Sequence, residues 1–255
     1  MPVNSENSYR APALEKGLDI LEFLSSQGSA CTKSQIAEAL DKSPSEIYRM
    51  LTVLEERGYL RKQPGTQAYF VSLKLYQLCN QQDNFRTLRS ASRLPMEHLA
   101  NRIGEACHLS IAQGDVLLVM MERMPAQSIC LAVGEGTSVP LSQTSSGRIF
   151  LSLMEPLQRE KTLVEESNFQ SFSAKEQKIF LDHLDVVRDQ GYEIARSQVT
   201  ANVIDVTLPV GVVGTDISGV LAVSQISNDL KSPKLKQTLE EMQLCVQEIH
   251  QNLGI

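Results

Sequence analysis

Two stretches of the chain concentrate side chains able to do chemistry. The first spans Lys42 to Thr52. In Ser43-Pro44-Ser45-Glu46, a hydroxyl can accept from free amides, a proline suits the first helical position, and a carboxylate three residues on can reach back to the cap amide. A helix begun this way buries Ile47, Leu51 and Leu54, with Met50 beside them, and presents Ser45, Glu46, Tyr48, Arg49 and Thr52 on its other face. That face offers hydroxyl, carboxylate and guanidinium groups to the base edges of a duplex. Lys42 and Ser43, at the helix N-terminus, are placed for phosphate. Glu46 reads better as a cap than as a contact to cytosine. Arg49 reads as a DNA contact, with an intradomain ion pair as the plainer account, and Tyr48 reads equally as packing or as a phosphate donor.

The second stretch is the hydroxyl run Ser142, Thr144, Ser145 and Ser146. No G-x-S-x-G elbow surrounds these serines. His98, His108, His183 and His250 show no ligand spacing, and Cys31, Cys79, Cys107, Cys130 and Cys245 contain no C-x-x-C pair. Gly211, Gly214 and Gly219 do not lead from a strand into a helix as a dinucleotide fingerprint requires, so they read as a hairpin. Catalytic residues, metal and cofactor are therefore all expected to be absent, and binding is the better account. Ser145, Ser146 and Gly147 open a helix whose free amides favour an anion. Asp205 stands in an apolar run with Val203, Ile204 and Val206. A buried carboxylate without a partner is costly, so Asp205 meets a ligand hydroxyl or amine, or pairs with Arg148 or Arg196; the ligand role is preferred. His108 on an early strand is core or ligand.

The elements that must position these groups follow from period and punctuation. Leu14, Leu18, Leu21 and Leu24 make a helical stripe over 12–26, stopped at Gly28. Thr32 and Gln35 form a capping-box pattern for a short second helix, and Asp41-Lys42 makes a tight turn before Ser43. After Gly58 the period becomes that of strands, at 59–62 and 68–71, joined by Gln63-Pro64-Gly65-Thr66. Helix, helix, helix and hairpin is the order of a winged helix-turn-helix, with Ser43–Arg57 as recognition helix and 59–71 as wing. Farther on, strands are expected at 107–112, 116–122, 128–133, 205–210 and 219–226. Helices are expected at 147–154, 156–166, 173–189 and 233–253. This is an α+β pattern with an antiparallel sheet. The domain reading is a disordered lead over 1–10, a winged helix-turn-helix domain over 11–78, a linker helix over 79–94 and an effector-binding and oligomerisation domain over 95–255.

Charge divides along the same line. The 255 residues carry a formal charge of −6, which taken whole argues against a polyanion partner. Residues 1–94, however, hold twelve Lys/Arg against ten Asp/Glu, and residues 95–255 hold twelve against twenty. The acid belongs to the second part, where it favours solubility. No apolar run of spanning length and no secretory signal occur, so the expected location is cytoplasmic, with no membrane partner.

The chain resembles the IclR-type bacterial transcription regulators over nearly its whole length. The likeness rests on Leu14-Glu15-Lys16-Gly17-Leu18-Asp19-Ile20-Leu21, on Ser45–Leu54 with its Arg and spaced leucines, and on Gly58-Tyr59-Leu60. In the second half it rests on Gly136–Leu141 with Thr144–Arg148, then Arg188 with Gly191-Tyr192, Leu208-Pro209-Val210 and Gly219–Ser224. The family usually has Lys where this chain has Arg148. Its frequent acidic pair is Ser197-Gln198 here, an Asp of some relatives is Ala195, and a small residue or cysteine is Asp205. These departures alter the polarity of the pocket.

The resemblance implies an N-terminal winged helix-turn-helix, a linker helix and a GAF-like C-terminal effector-binding domain. It implies a sequence-specific regulator, expected to be a repressor, that binds a pseudopalindromic operator of double-stranded DNA as a homodimer or a dimer of dimers. A small metabolite, a carboxylate or sugar acid, modulates that binding; the alternative is a metabolite-processing enzyme with an accessory DNA-binding domain. The DNA-contacting set is Lys33, Lys42, Ser43, Ser45, Glu46, Tyr48, Arg49 and Thr52, with Arg61, Lys62 and Gln67 from the wing. The effector set is His108, Leu131, Val139, Ser145, Ser146, Gly147, Asp205 and Ser224. The apolar stripe of the first helix is the expected dimer surface.

Overall fold

A computed structural model describes residues 11–81, 83–126, 130–211 and 218–255. The chain divides at Gln82/Asp83 into two compact units.

In the first unit, α1 (Pro12–Gln27) begins with a proline in its first turn and stops at Gly28, whose φ of 62° is left-handed and suits glycine. The helices α2 (Lys33–Ala39) and α3 (Pro44–Glu56) each start with a complete capping box, Thr32 with Gln35 and Ser43 with Glu46. The strands β1 (Leu60–Lys62) and β2 (Tyr69–Val71) form an antiparallel hairpin, followed by α4 (Lys74–Cys79). Ile20, Leu24, Ile36, Ile47, Leu51 and Leu60 bury almost completely into one core, which brings α3 across α1 and α2. The α1 stripe divides its work: Leu21 and Leu24 enter this core, while Leu14 and Leu18 remain 63% and 48% exposed.

The second unit begins with α5 (Asp83–Ile103), which runs through Pro95 rather than ending before it. The stretch 79–94, read from sequence as a linker, thus includes the end of α4 and the first half of α5. There follow β3 (Cys107–Gln113), β4 (Val116–Arg123), β5 (Ser138–Pro140), a 3-10 turn at Leu141–Gln143, α6 (Ser145–Leu153), α7 (Pro156–Glu165), α8 (Ser167–Gln170), α9 (Ala174–Gln190), β6 (Glu193–Arg196), β7 (Val203–Gly211), β8 (Ser218–Ile226) and α10 (Pro233–Leu253). The sheet is ordered β5-β4-β3-β8-β7-β6 with antiparallel neighbours throughout.

The two faces of this sheet differ because side chains alternate along each strand. On one face Cys107, Leu109, Ile204, Val206, Leu221 and Val223 pack with Leu99 of α5 and Met242 and Ile249 of α10. The other face carries His108, Asp205, Ala222 and Ser224, together with Val220, which packs with Ile149 of α6 and Val187 of α9. No strand forms at 130–133, against the sequence expectation for 128–133; residues 127–129 lie outside the described set. Leu131, Ala132 and Val133 line a cavity instead, and the edge next to β4 is taken by β5. The short strand β6 was not expected from sequence. The hairpin expected at Gly211 is consistent with the antiparallel β7–β8 pairing, and its connecting residues 212–217 lie outside the described set.

Candidate nucleic-acid interface and effector cavity

In the first unit, the capping box sets the start of α3. The Ser43 hydroxyl accepts from the Glu46 amide, and the Glu46 carboxylate accepts from the Ser43 amide at 2.8 Å. These contacts, and then Lys16 at 3.1 Å, hold the Glu46 carboxyl down at about 2. Ser43 and Glu46 are therefore occupied in presenting the helix. Lys33 lies over the Tyr48 ring at 5.4 Å, and Lys33, Ser45, Tyr48 and Arg49 border one shallow hollow between α2 and α3. The Thr52 hydroxyl bonds back to the Tyr48 carbonyl at 3.0 Å. Lys42, Arg61 and Gln67 are exposed. Lys62 bridges the wing to α3 through Glu55 at 2.8 Å and lies 5.1 Å over the Tyr69 ring. This pairing depends on how the hairpin folds back on α3, not on local spacing.

In the second unit, seven of the eight sequence-derived effector residues line one cavity of about 150 Å³: His108, Leu131, Val139, Ser145, Ser146, Asp205 and Ser224. Gly147 does not line it. A side chain there would put a Cβ 1.9 Å from the Leu141 carbonyl oxygen, so the glycine is needed for packing against the preceding turn. The cap of α6 is Thr144, whose hydroxyl accepts from the Gly147 amide at 3.0 Å. The amides of Ser145 and Ser146, in the first turn, have no intrahelical acceptor. Sequence reasoning did not assign Ser110, Ser197 and Thr200 to this cavity, although the period-two spacing of Ser110 from His108 was available as a signal.

Asp205 and Ser224 are cross-strand partners, and the Ser224 hydroxyl donates to Asp205 at 2.7 Å. Ser145 donates to its other oxygen at 3.3 Å. Burial raises the Asp205 carboxyl above its usual range, and the hydroxyls of Ser224, Ser145 and Ser197 oppose that rise. Burial alone pushes His108 down to about 4, leaving a neutral imidazole at neutral pH. Of the two arginines considered as partners of Asp205, Arg196 bonds the Asn228 carbonyl instead. Arg148 pairs with Glu193 at 2.9 Å and reaches Asp205 only by way of Ser145. Among the described residues, no group of three or more His, Cys, Asp and Glu side chains could hold a metal ion. No described helix is long and apolar enough to cross a membrane.

Comparison with known proteins covers both units. The model of the IclR helix-turn-helix domain matches residues 13–64, and that of the bacterial transcriptional regulator IclR C-terminal domain matches residues 84–251. The chain is similar to the HTH-type transcriptional regulator BhcR of Paracoccus denitrificans, 25% identical over 82% of this chain and 75% of that one. It is also similar to the HTH-type transcriptional repressor AllR of Escherichia coli, 23% identical over 85% of this chain and 80% of the relative. Among solved structures, an IclR homologue from Microbacterium hydrocarbonoxydans complexed with 4-hydroxybenzoate superposes with a TM-score of 0.78 at 18% identity, covering 95% of this chain and 99% of the other.

Proposed function

The chain belongs to the IclR family of bacterial transcriptional regulators, and from that premise we propose that it is a cytoplasmic repressor released or tightened on its operator by a small hydroxylated acid. α3 enters the major groove of a pseudopalindromic duplex, with Lys33, Ser45, Tyr48 and Arg49 facing it and Lys42, Arg61 and Gln67 on the phosphates. One copy carries few charges for this task, so two copies read two half-sites. The exposed Leu14 and Leu18 on α1 supply a surface for self-association.

The observation that carries the effector class is the state of Asp205. Its two oxygens already accept from Ser224 and Ser145, so the carboxylate offers a ligand nothing but acceptor positions. The ligand must bring a hydroxyl or amine to it. The free amides at the start of α6 favour an anionic end. A cavity of this size suits a benzene-sized body. A hydroxylated carboxylic acid with one ring or a short chain meets all three conditions, and the homologue holding 4-hydroxybenzoate shows the fold in company with such a compound. The cavity hydroxyls of Ser145 and Ser224 donate to Asp205 rather than to a histidine, an arrangement that binds a ligand without activating a nucleophile.

The test is fluorescence anisotropy on operator fragments with a panel of hydroxy acids, their deoxy analogues and their alcohols. A hydroxy acid should change operator affinity and be recovered unaltered, with Asp205→Asn changing the ranking within the panel. No response to any member, or the same ranking in the variant, would remove this effector class.

A further inference from the structure

Arg148 stands between two cavities. Ser145, to which its Nη2 donates at 3.4 Å, lines the effector cavity. Arg148 itself lines a second and larger one of about 480 Å³, walled by Phe172, Ile179, Phe180, His183 and Arg196. The guanidinium is unevenly satisfied. Its Nε donates to both oxygens of Glu193 at 2.9 and 3.0 Å, while Nη1 has no acceptor among the described residues although the side chain is only 5% exposed. A buried N–H left without an acceptor is costly and calls for one. Glu193 cannot serve both sides, since one of its oxygens also contacts His183 at 2.8 Å.

The rest of the lining indicates what kind of acceptor fits. Arg196, exposed and donating through Nη2 to the Asn228 carbonyl, adds a cation, and Ile179, 58% exposed, continues the apolar wall. Glu176 also borders the space, but its carboxylate is held by the Ser173 cap. We propose that this cavity is a second ligand site for a small monocarboxylate with an apolar or aromatic body, its carboxylate on Arg196 and on the Arg148 guanidinium, which turns its buried Nη1 toward the space to meet it, and its body on Phe172, Ile179 and Phe180. A dicarboxylate is disfavoured by Glu176 and Glu193.

The same guanidinium couples the two sites. Arginine only donates, so the Ser145 oxygen accepts from Arg148 and the single Ser145 proton is left for Asp205. A ligand that draws Arg148 toward the second cavity stretches the 3.4 Å contact and frees the Ser145 hydroxyl to turn. Asp205 then loses a fixed donor, and the first cavity changes what it offers. This coupling rests on the effector reading of the first cavity; the second site does not.

Each cavity contains its own reporter, His108 in the first and His183 in the second. The experiment is an NMR titration of the full chain, with histidine imidazole signals assigned through His108→Gln and His183→Gln. The probe is phenylacetate and the uncharged control is 2-phenylethanol. Phenylacetate should move the His183 signal saturably, about tenfold more tightly than the alcohol, as expected of a charge-assisted contact. Arg196→Ala, which lies at the surface, should weaken it about threefold, and Arg148→Lys should weaken it further. A His183 signal that does not move, moves without saturating, or responds equally to both compounds overturns the site. Ser145→Ala should shift the phenylacetate affinity at least about threefold through the lost bridge. An unchanged affinity removes the coupling alone, and a hydroxy-acid response at His108 reports on the first cavity independently.

Discussion

The two units handle polar side chains in opposite ways. In the DNA-facing unit the buried core is apolar, and the ion pairs Lys16–Glu46 and Lys62–Glu55 lie at the surface. In the sensing unit Arg148, Glu193, Ser145, Ser146 and Ser224 are buried beside the sheet. A surface that must meet a polyanion keeps its charges hydrated and mobile. A cavity that must recognise a small molecule holds its polar groups in place, where the low local dielectric strengthens each contact and makes each missing one costly. The difference predicts that similar substitutions have unequal consequences in the two units.

The largest effect is expected at the buried pair. Glu193→Ala leaves the Arg148 guanidinium buried without its counter-charge, and removing one partner of such a pair costs about 3–5 kcal/mol. Thermal unfolding should show a large destabilisation of the second unit, and a loss below about 1 kcal/mol would mean that the pair is solvated in the free protein. Arg49→Ala comes next, and it acts on binding rather than on folding. Loss of a base-edge or phosphate contact should weaken operator binding by about 1–3 kcal/mol, some 5- to 150-fold, at unchanged melting temperature. Equal affinity in a filter-binding or anisotropy titration would remove Arg49 from the interface.

This difference also governs how much of the molecule was legible in the sequence. The start of α3 depends on residues three apart, and its buried face on Ile47 and Leu51 four apart, so both follow from spacing alone. Asp205 stood out because it interrupts an apolar strand, and its face-mates His108 and Ser224 follow from alternation once the strands are placed. The pairing of Arg148 with Glu193 crosses 45 positions and joins a helix to an edge strand of four residues, so no local pattern announces it. The apolar run at 130–133 misled for the complementary reason: it has the composition of a strand, but its side chains wall a cavity. In α1 the period is correct for all four leucines, yet period alone does not say that Leu14 and Leu18 face outward, because the stripe is longer than the core beneath it.

A smaller effect is expected at the α3 cap. Ser43→Ala should cost the first unit about 1 kcal/mol. The carboxylate half of the same capping box gives a pH signature. Glu46 is held down at about 2, so its contribution is present above the ordinary carboxylate range and is lost as pH falls from about 4.5 toward 2. Acid titration of the wild type should show this loss, and Glu46→Gln should flatten it; an identical acid profile in the variant would assign the loss to other carboxylates.

The smallest effect separates two roles for one residue and so tests the contrast between the units most finely. Lys62 pairs with Glu55 at the surface, where the two side chains are 37% and 34% exposed, so Lys62→Ala should change stability by less than about 1 kcal/mol. Its part in DNA binding should also be reduced. Lys42 and Arg61, which have no ion-pair partner among the described residues, can approach a phosphate directly, and each should contribute about 0.9 to the slope of log affinity against log salt. Lys62 must first separate from Glu55, which leaves a carboxylate near the phosphates and offsets part of the gain. Its removal should therefore flatten the slope by clearly less than removal of Lys42 or Arg61. Lys62→Ala combined with Glu55→Gln should recover part of the lost affinity, because the freed carboxylate is gone. A Lys62→Ala slope change as large as that of Lys42→Ala would mean that Lys62 meets phosphate directly and that the Glu55 contact belongs only to the unbound protein.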